Sequence, residues 1–115
     1  MKIDIYSPNI ALSDRLREHA QRQAQAMLGR LAKRIDRVTI TLEQLQSPRG
    51  IADQRCTVWV EPHGGRPLLA EHTHEHLHGA ITHAMRTASR AVERRQGQRL
   101  RRAAEGHQPE LRAAS

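Results

Sequence analysis

The sequence predicts an α+β fold of order β-α-β-β-β-α, a four-stranded sheet with two helices packed on one face. Three observations carry this: apolar residues recur every second position in four segments, they recur at helical spacing in two, and turn-forming residues separate the segments. In the opening KIDIY, Ile3 and Ile5 face one way and Lys2, Asp4 and Tyr6 the other, the period of a half-buried strand. Pro8 and Asn9 break it. Ser13 is placed to cap a helix, with Asp14 and Glu18 near the positive helix end. Leu16, Ala20, Ala24, Met27 and Leu31 follow at helical spacing, so a first helix is expected over about residues 14–33.

From Ile35 the period is two again, with Val38, Ile40 and Leu42 opposite Arg37, Thr39, Thr41 and Glu43. Ser47, Pro48, Arg49 and Gly50 are turn residues. Beyond them Cys56, Val58 and Val60 alternate with Arg55, Thr57, Trp59 and Glu61, so strands two and three form a long hairpin. A second turn at His63, Gly64, Gly65 and Arg66 leads to Leu68 and Ala70, opposed by Leu69 and Glu71, in a fourth strand. Helical spacing returns near Glu75, where Leu77, Ala80, Ile81, Ala84, Ala88, Ala91 and Val92 make one apolar stripe. Charged residues carry the helix past Gly97 to about Arg102. Residues 103–115 have no period and contain Pro109, so a disordered tail is expected after a single domain over residues 1–102.

A chain of 115 residues has room for one such domain and not for two. No apolar run is long enough to span a membrane, and the N-terminal segment alternates instead of forming an apolar leader, so a cytoplasmic protein is expected. Cys56 is the single cysteine; it can form no intrachain disulfide, lacks a CxxC partner, and shares the apolar face with Val58 and Val60 as a small core residue.

Nineteen Lys and Arg face twelve Asp and Glu, a net charge of +7. The excess is local. Residues 1–82 hold eleven basic and nine acidic side chains, whereas residues 83–102 hold seven basic and one acidic. Such an imbalance points to nucleic acid as partner first and to an anionic membrane second. On a helical wheel His83, Arg86, Arg90, Arg94 and Arg101 fall opposite the apolar stripe. Arg86 to Arg94 covers about 12 Å, roughly two successive phosphates of a nucleic-acid strand. A merely solvated helix face would mix signs, and this one has only Glu93. Arg95, Arg99 and Arg102 fall on the core side of the wheel, so a cationic rod that has run past the sheet is expected there. Arg15, Arg22 and Lys33, with Arg30 nearby, form a weaker stripe on the first helix. Tyr6 and Trp59 are the only aromatic rings, which disfavours a stacking reader of single strands and favours recognition of backbone and shape.

His72, His74, His76 and His78 alternate across the junction of the fourth strand and second helix. Two-ligand arrangements are available there, but the side chains are expected to diverge, so no metal site and no cofactor are predicted. Partial protonation of the run near pH 6 would add positive charge beside the Arg stripe. No nucleophile motif, P-loop or paired carboxylates occur, and neither an enzyme nor a small-molecule substrate is expected.

Three segments, in order, resemble the short ribosome hibernation promoting factors, also called ribosome-associated translation inhibitors of the YfiA type. They are IYSPNIALSDRLREHA, with Asn9, Ile10, Leu12, Ser13, Leu16, Arg17 and Glu18; SPRGIADQRC, with Pro48, Arg49, Gly50, Asp53, Arg55 and Cys56, similar to a divergent branch; and HLHGAITHAMRTASRAVERR, whose Ala80, Ile81, Ala84, Ala88 and Val92 match the family's second helix. The resemblance covers about residues 1–102. It implies a fold related to double-stranded RNA-binding domains and a partner in the small ribosomal subunit and its rRNA, near the mRNA and tRNA channel, with translation inhibited in slow growth. It carries rRNA contact to Arg86, Arg90, Arg94 and Arg95, and more loosely to Arg22. Where many members have an Asp-x-Tyr pair and a later Asp, this chain has His76, His78 and Thr82. The chain is expected to lack the dimerisation module of long-form members. A histidine-rich metal-binding stress adaptor and a general duplex RNA binder are the competing readings.

Overall fold

Four strands and two helices alternate as β1 (Lys2–Tyr6), α1 (Asp14–Leu28), a 3-10 turn (Gly29–Arg34), β2 (Ile35–Gln46), β3 (Ala52–Pro62), β4 (Leu68–His74) and α2 (Leu77–Gly106). The computed structural model describes residues 1–46 and 52–106, and only the backbone of residues 52, 96 and 98–106. The strands stand in the order β1-β2-β3-β4. Because α1 carries the chain across the sheet, β1 pairs with β2 in parallel, while β2 with β3 and β3 with β4 are antiparallel neighbours. The expected order β-α-β-β-β-α is the observed one.

Alternation decides which sheet face is covered. Ile5, Val38, Ile40, Leu42, Cys56, Val58, Val60 and Ala70 are buried under the helices, and from above α1 contributes Ala20, Ala24 and Leu28. The stripe of α2 is Ala80, Ile81, Ala84, Met85, Ala88 and Val92, with alanine at three successive turns where the helix packs on β3 and β4. On the other face Tyr6, Trp59 and Leu69 are 58%, 41% and 60% exposed, so that side of the sheet is open. Register puts Trp59 between Thr39 and Leu69, and Arg55 between Glu43 and Thr73. The Arg55 guanidinium donates to Glu43 Oε1 from Nε at 3.0 Å and from Nη2 at 2.5 Å.

Polar side chains pin the connections. Asn9 acts as an added strand residue: its Oδ1 accepts from the Gln44 N–H and its Nδ2 donates to the Gln44 carbonyl, both at 2.8 Å. Ser13 caps α1 by accepting from the Leu16 N–H at 3.1 Å. Ser89, buried on α2, donates from Oγ to the Met27 carbonyl at 2.9 Å, satisfying one of the carbonyls that the end of α1 leaves without a helical partner.

Two boundaries differ from expectation. The α-helical part of the first helix stops at Leu28, and the tighter 3-10 turn advances about 120° per residue, rotating Lys33 out of line with Arg15 and Arg22. At the other end α2 continues to Gly106, beyond Arg102, because Ala103, Ala104 and Glu105 favour helix. The tail at residues 107–115 and the turn at residues 47–50 lie outside the described residues.

His19 on α1 stacks on His78 of α2, ring centroids 4.1 Å apart, and its Nε2 is buried without a hydrogen-bond partner among the described residues. Burial, followed by His78 and Arg22, lowers its pKa below the ordinary 6.5. The folded protein therefore binds this proton less readily than the unfolded chain. The associated stability is complete above about pH 6.5 and is lost as pH falls toward the folded-state value. Thermal melting between about pH 7.5 and pH 5 should show His19→Leu losing less stability on acidification than the wild type; parallel losses would contradict the assignment.

Candidate nucleic-acid interface

The length of α2 that buries Ala84, Ala88 and Val92 inward presents Arg86, Arg90 and Arg94 outward, all three exposed and one turn apart. Among the described residues none of the three is ion-paired with a carboxylate. Glu93, the acidic residue in this stretch, is paired with Arg30 of the 3-10 turn, so its charge is matched from the α1 side. Thr87, Arg90, Glu93 and Arg94 line a surface depression. An exposed row of guanidinium forks whose neighbouring carboxylate is already engaged by Arg30 is suited to pairs of phosphate oxygens.

The remaining predicted residues lie elsewhere. Arg95 is only partly exposed and its guanidinium donates to the Arg66 carbonyl in the β3–β4 turn. The sheet therefore still meets α2 at this point, against the expectation that the helix has run past it. The Arg101 side chain lies outside the described residues, as do those of Arg99 and Arg102. Arg22 is exposed but opens onto a groove with Met1, Ile3, Glu18, Gln21 and Gln25 beside β1. That flank of α1 is turned away from the contacts that His19, Met27 and Arg30 make with α2. The structure thus brings together Arg86, Arg90 and Arg94 and does not bring Arg22 beside them.

The histidines give the clearest departure from sequence reasoning. His72, His74 and His76 converge instead of diverging, and His83 of α2 joins them. Ring centroids lie 4.6 Å apart for His72 and His83, 5.8 Å for His74 and His83, 5.8 Å for His74 and His76, and 6.4 Å for His72 and His74. His78 alone turns away, to His19. Gly79 permits the arrangement: a Cβ there would stand 2.6 Å from His74 Nδ1, so the His74 ring would have to move. His74 Nδ1 also accepts from the His76 N–H at 2.9 Å. Among the described residues no group of three or more His, Cys, Asp or Glu has the geometry to hold a metal ion. The rings overlap in tilted stacks, with interplanar angles of 30° and 23° to His83, instead of aiming their nitrogens at one point. Desolvation lowers the His83 pKa, reinforced by His72, Arg86 and His74. Cys56 is fully buried, and burial pushes its thiol up to about 12, so it is no nucleophile.

Comparison with known proteins agrees with this architecture. Solved structures share the fold. A ribosomal subunit interface protein from Coxiella burnetii superposes with a TM-score of 0.71 at 12% identity, covering 84% of this chain and 99% of that one. The N-terminal domain of Thermus thermophilus Protein Y does so with a TM-score of 0.64 at 20% identity, covering 82% and 98%. No curated protein sequence matches the chain. The family model described as sigma 54 modulation protein / S30EA ribosomal protein matches residues 3–101. On that match, which spans both helices and all four strands, the chain belongs to the sigma 54 modulation protein / S30EA ribosomal protein family.

Proposed function

We propose that residues 1–102 bind rRNA of the small ribosomal subunit near the mRNA and tRNA channel and thereby lower translation, as a hibernation factor of the cytoplasm. The observation that carries this reading is the exposed row Arg86, Arg90 and Arg94, ion-paired with no carboxylate among the described residues, on the face of α2 opposite its buried stripe. Family membership and the fold shared with a ribosomal subunit interface protein support the choice of the ribosome over other RNA. The contacts are to backbone phosphates, so the protein acts by occupying the channel and not by reading bases. No catalytic step is involved.

Cosedimentation with purified small and large subunits, together with cell-free translation, tests the reading. Retention on small subunits and reduced translation are expected; equal retention on both subunits, or on any A-form duplex, would contradict it. About four to six phosphate contacts should give a log-log salt slope of roughly −3 to −5, and a nearly flat slope would instead indicate a protein partner.

Changing Arg86 and Arg90 together to Glu separates surface from core. Both side chains are exposed, so melting should shift by only about half a kcal/mol for each. Affinity for small subunits should fall by about a hundredfold or more, because two phosphate contacts become repulsions. The matched pair Arg15→Glu and Arg34→Glu, also exposed but off α2, should cost distinctly less. Equal losses in the two pairs would show that only total charge matters.

A further inference from the structure

The cluster at the β4–α2 junction has a position as well as a composition. His83 stands one helical turn before Arg86 and, like it, is exposed, so the imidazoles continue the row Arg86, Arg90 and Arg94 toward the start of α2. We propose that His72 and His83 form a proton-dependent extension of the phosphate-binding face, taking up protons when RNA backbone lies across it. The inference rests on reading the α2 face as an RNA-backbone surface.

Three observations carry it. The His72 and His83 rings, with centroids 4.6 Å apart, would repel each other once both were protonated, and desolvation together with His72, Arg86 and His74 lowers the pKa of His83 in the free protein. The groups that face His83 are His72 and His74 from β4 and Arg86 from its own helix. Across from β4, β3 pairs Cys56 with His72 and Gln54 with His74, neither of which supplies a negative charge near neutral pH. The loop adds His76 and the exposed Glu75, which is ion-paired with none of the rings among the described residues, and α1 engages only the separate ring of His78. Among the described residues no carboxylate is ion-paired with any of these four rings, in contrast to His63, which pairs with Asp36 at 3.2 Å. With no carboxylate of the described residues paired with the cluster, the exposed Glu75 of the loop included, a phosphate of a bound strand is the group that would supply the negative charge.

Linkage fixes the sign. A site that takes up protons on binding RNA binds more tightly as pH falls, until the free protein is itself protonated. The experiment compares the affinity of wild type and of His72→Gln/His83→Gln for purified small subunits at fixed salt, at about pH 8, pH 7 and pH 6. The ratio of the two affinities cancels any pH effect on the ribosome. It should be near one at pH 8 and rise to about tenfold in favour of wild type at pH 6, the order expected when one or two protons are taken up. Calorimetry in two buffers of different ionisation heat should show that proton uptake directly, and show less of it for the variant. His83→Gln alone, at an exposed position, should retain the fold and lose part of the effect. Strong binding with a ratio that stays constant across the range would overturn this inference and leave the proposed function standing. Absence of binding by wild type at every pH would overturn both.

Discussion

Burial of the α2 stripe against β3 and β4 is the contact on which the other features depend, because one helix serves both as a wall of the core and as the cationic surface. The inward positions Ala80, Ile81, Ala84, Met85, Ala88 and Val92 fix the rotation of the helix about its axis. Once that rotation is set, Arg86, Arg90 and Arg94 have only solvent to face. The position of α1 follows from the same helix, through the stack of His19 on His78, the Ser89 bond to the Met27 carbonyl and the pairing of Arg30 with Glu93. A shift of α2 would therefore disturb the core, the seat of α1 and the interface together.

How much of this was legible in the sequence differs from element to element, for physical reasons. The sheet was legible because one face is open: wherever half a strand is solvated, polar and apolar residues alternate, and Val38, Ile40, Leu42, Cys56, Val58 and Val60 declare the buried side. The row of arginines was legible because a helical wheel needs no tertiary information. Met85 and Ser89 escaped the predicted stripe because both fall just outside its arc, beyond Val92. Ser89 reads as polar until its partner, a carbonyl sixty-two residues away, is known. The meeting of His83 with His72 and His74 was not legible, since it depends on how closely α2 crosses β4 and on the missing Cβ of Gly79. Arg95 lay where the wheel put it, on the core side; what the wheel could not show was the β3–β4 turn reaching up to meet it.

The molecule offers RNA two unlike surfaces. The α2 face carries charge and, apart from imidazoles, no rings, and suits phosphates. The open sheet face carries Tyr6 and Trp59, with Leu69 beside the tryptophan, yet its charged residues are largely paired within the sheet, Arg55 with Glu43 and Arg37 with Asp4. That pairing leaves few cations there for a backbone contact, which favours α2 as the side proposed to meet rRNA.

Site-directed cross-linking tests this polarity most directly. Cys56 is buried and its thiol is held unreactive, so a single introduced cysteine can carry the probe. Thr87, exposed on α2 among the arginines, and Thr73, exposed on the open sheet face, are the two positions to compare. With purified small subunits, a photo-cross-linker on Thr87→Cys should capture rRNA and the same group on Thr73→Cys should capture little. Cross-links to rRNA dominated by Thr73→Cys, or equal from both faces, would contradict the account.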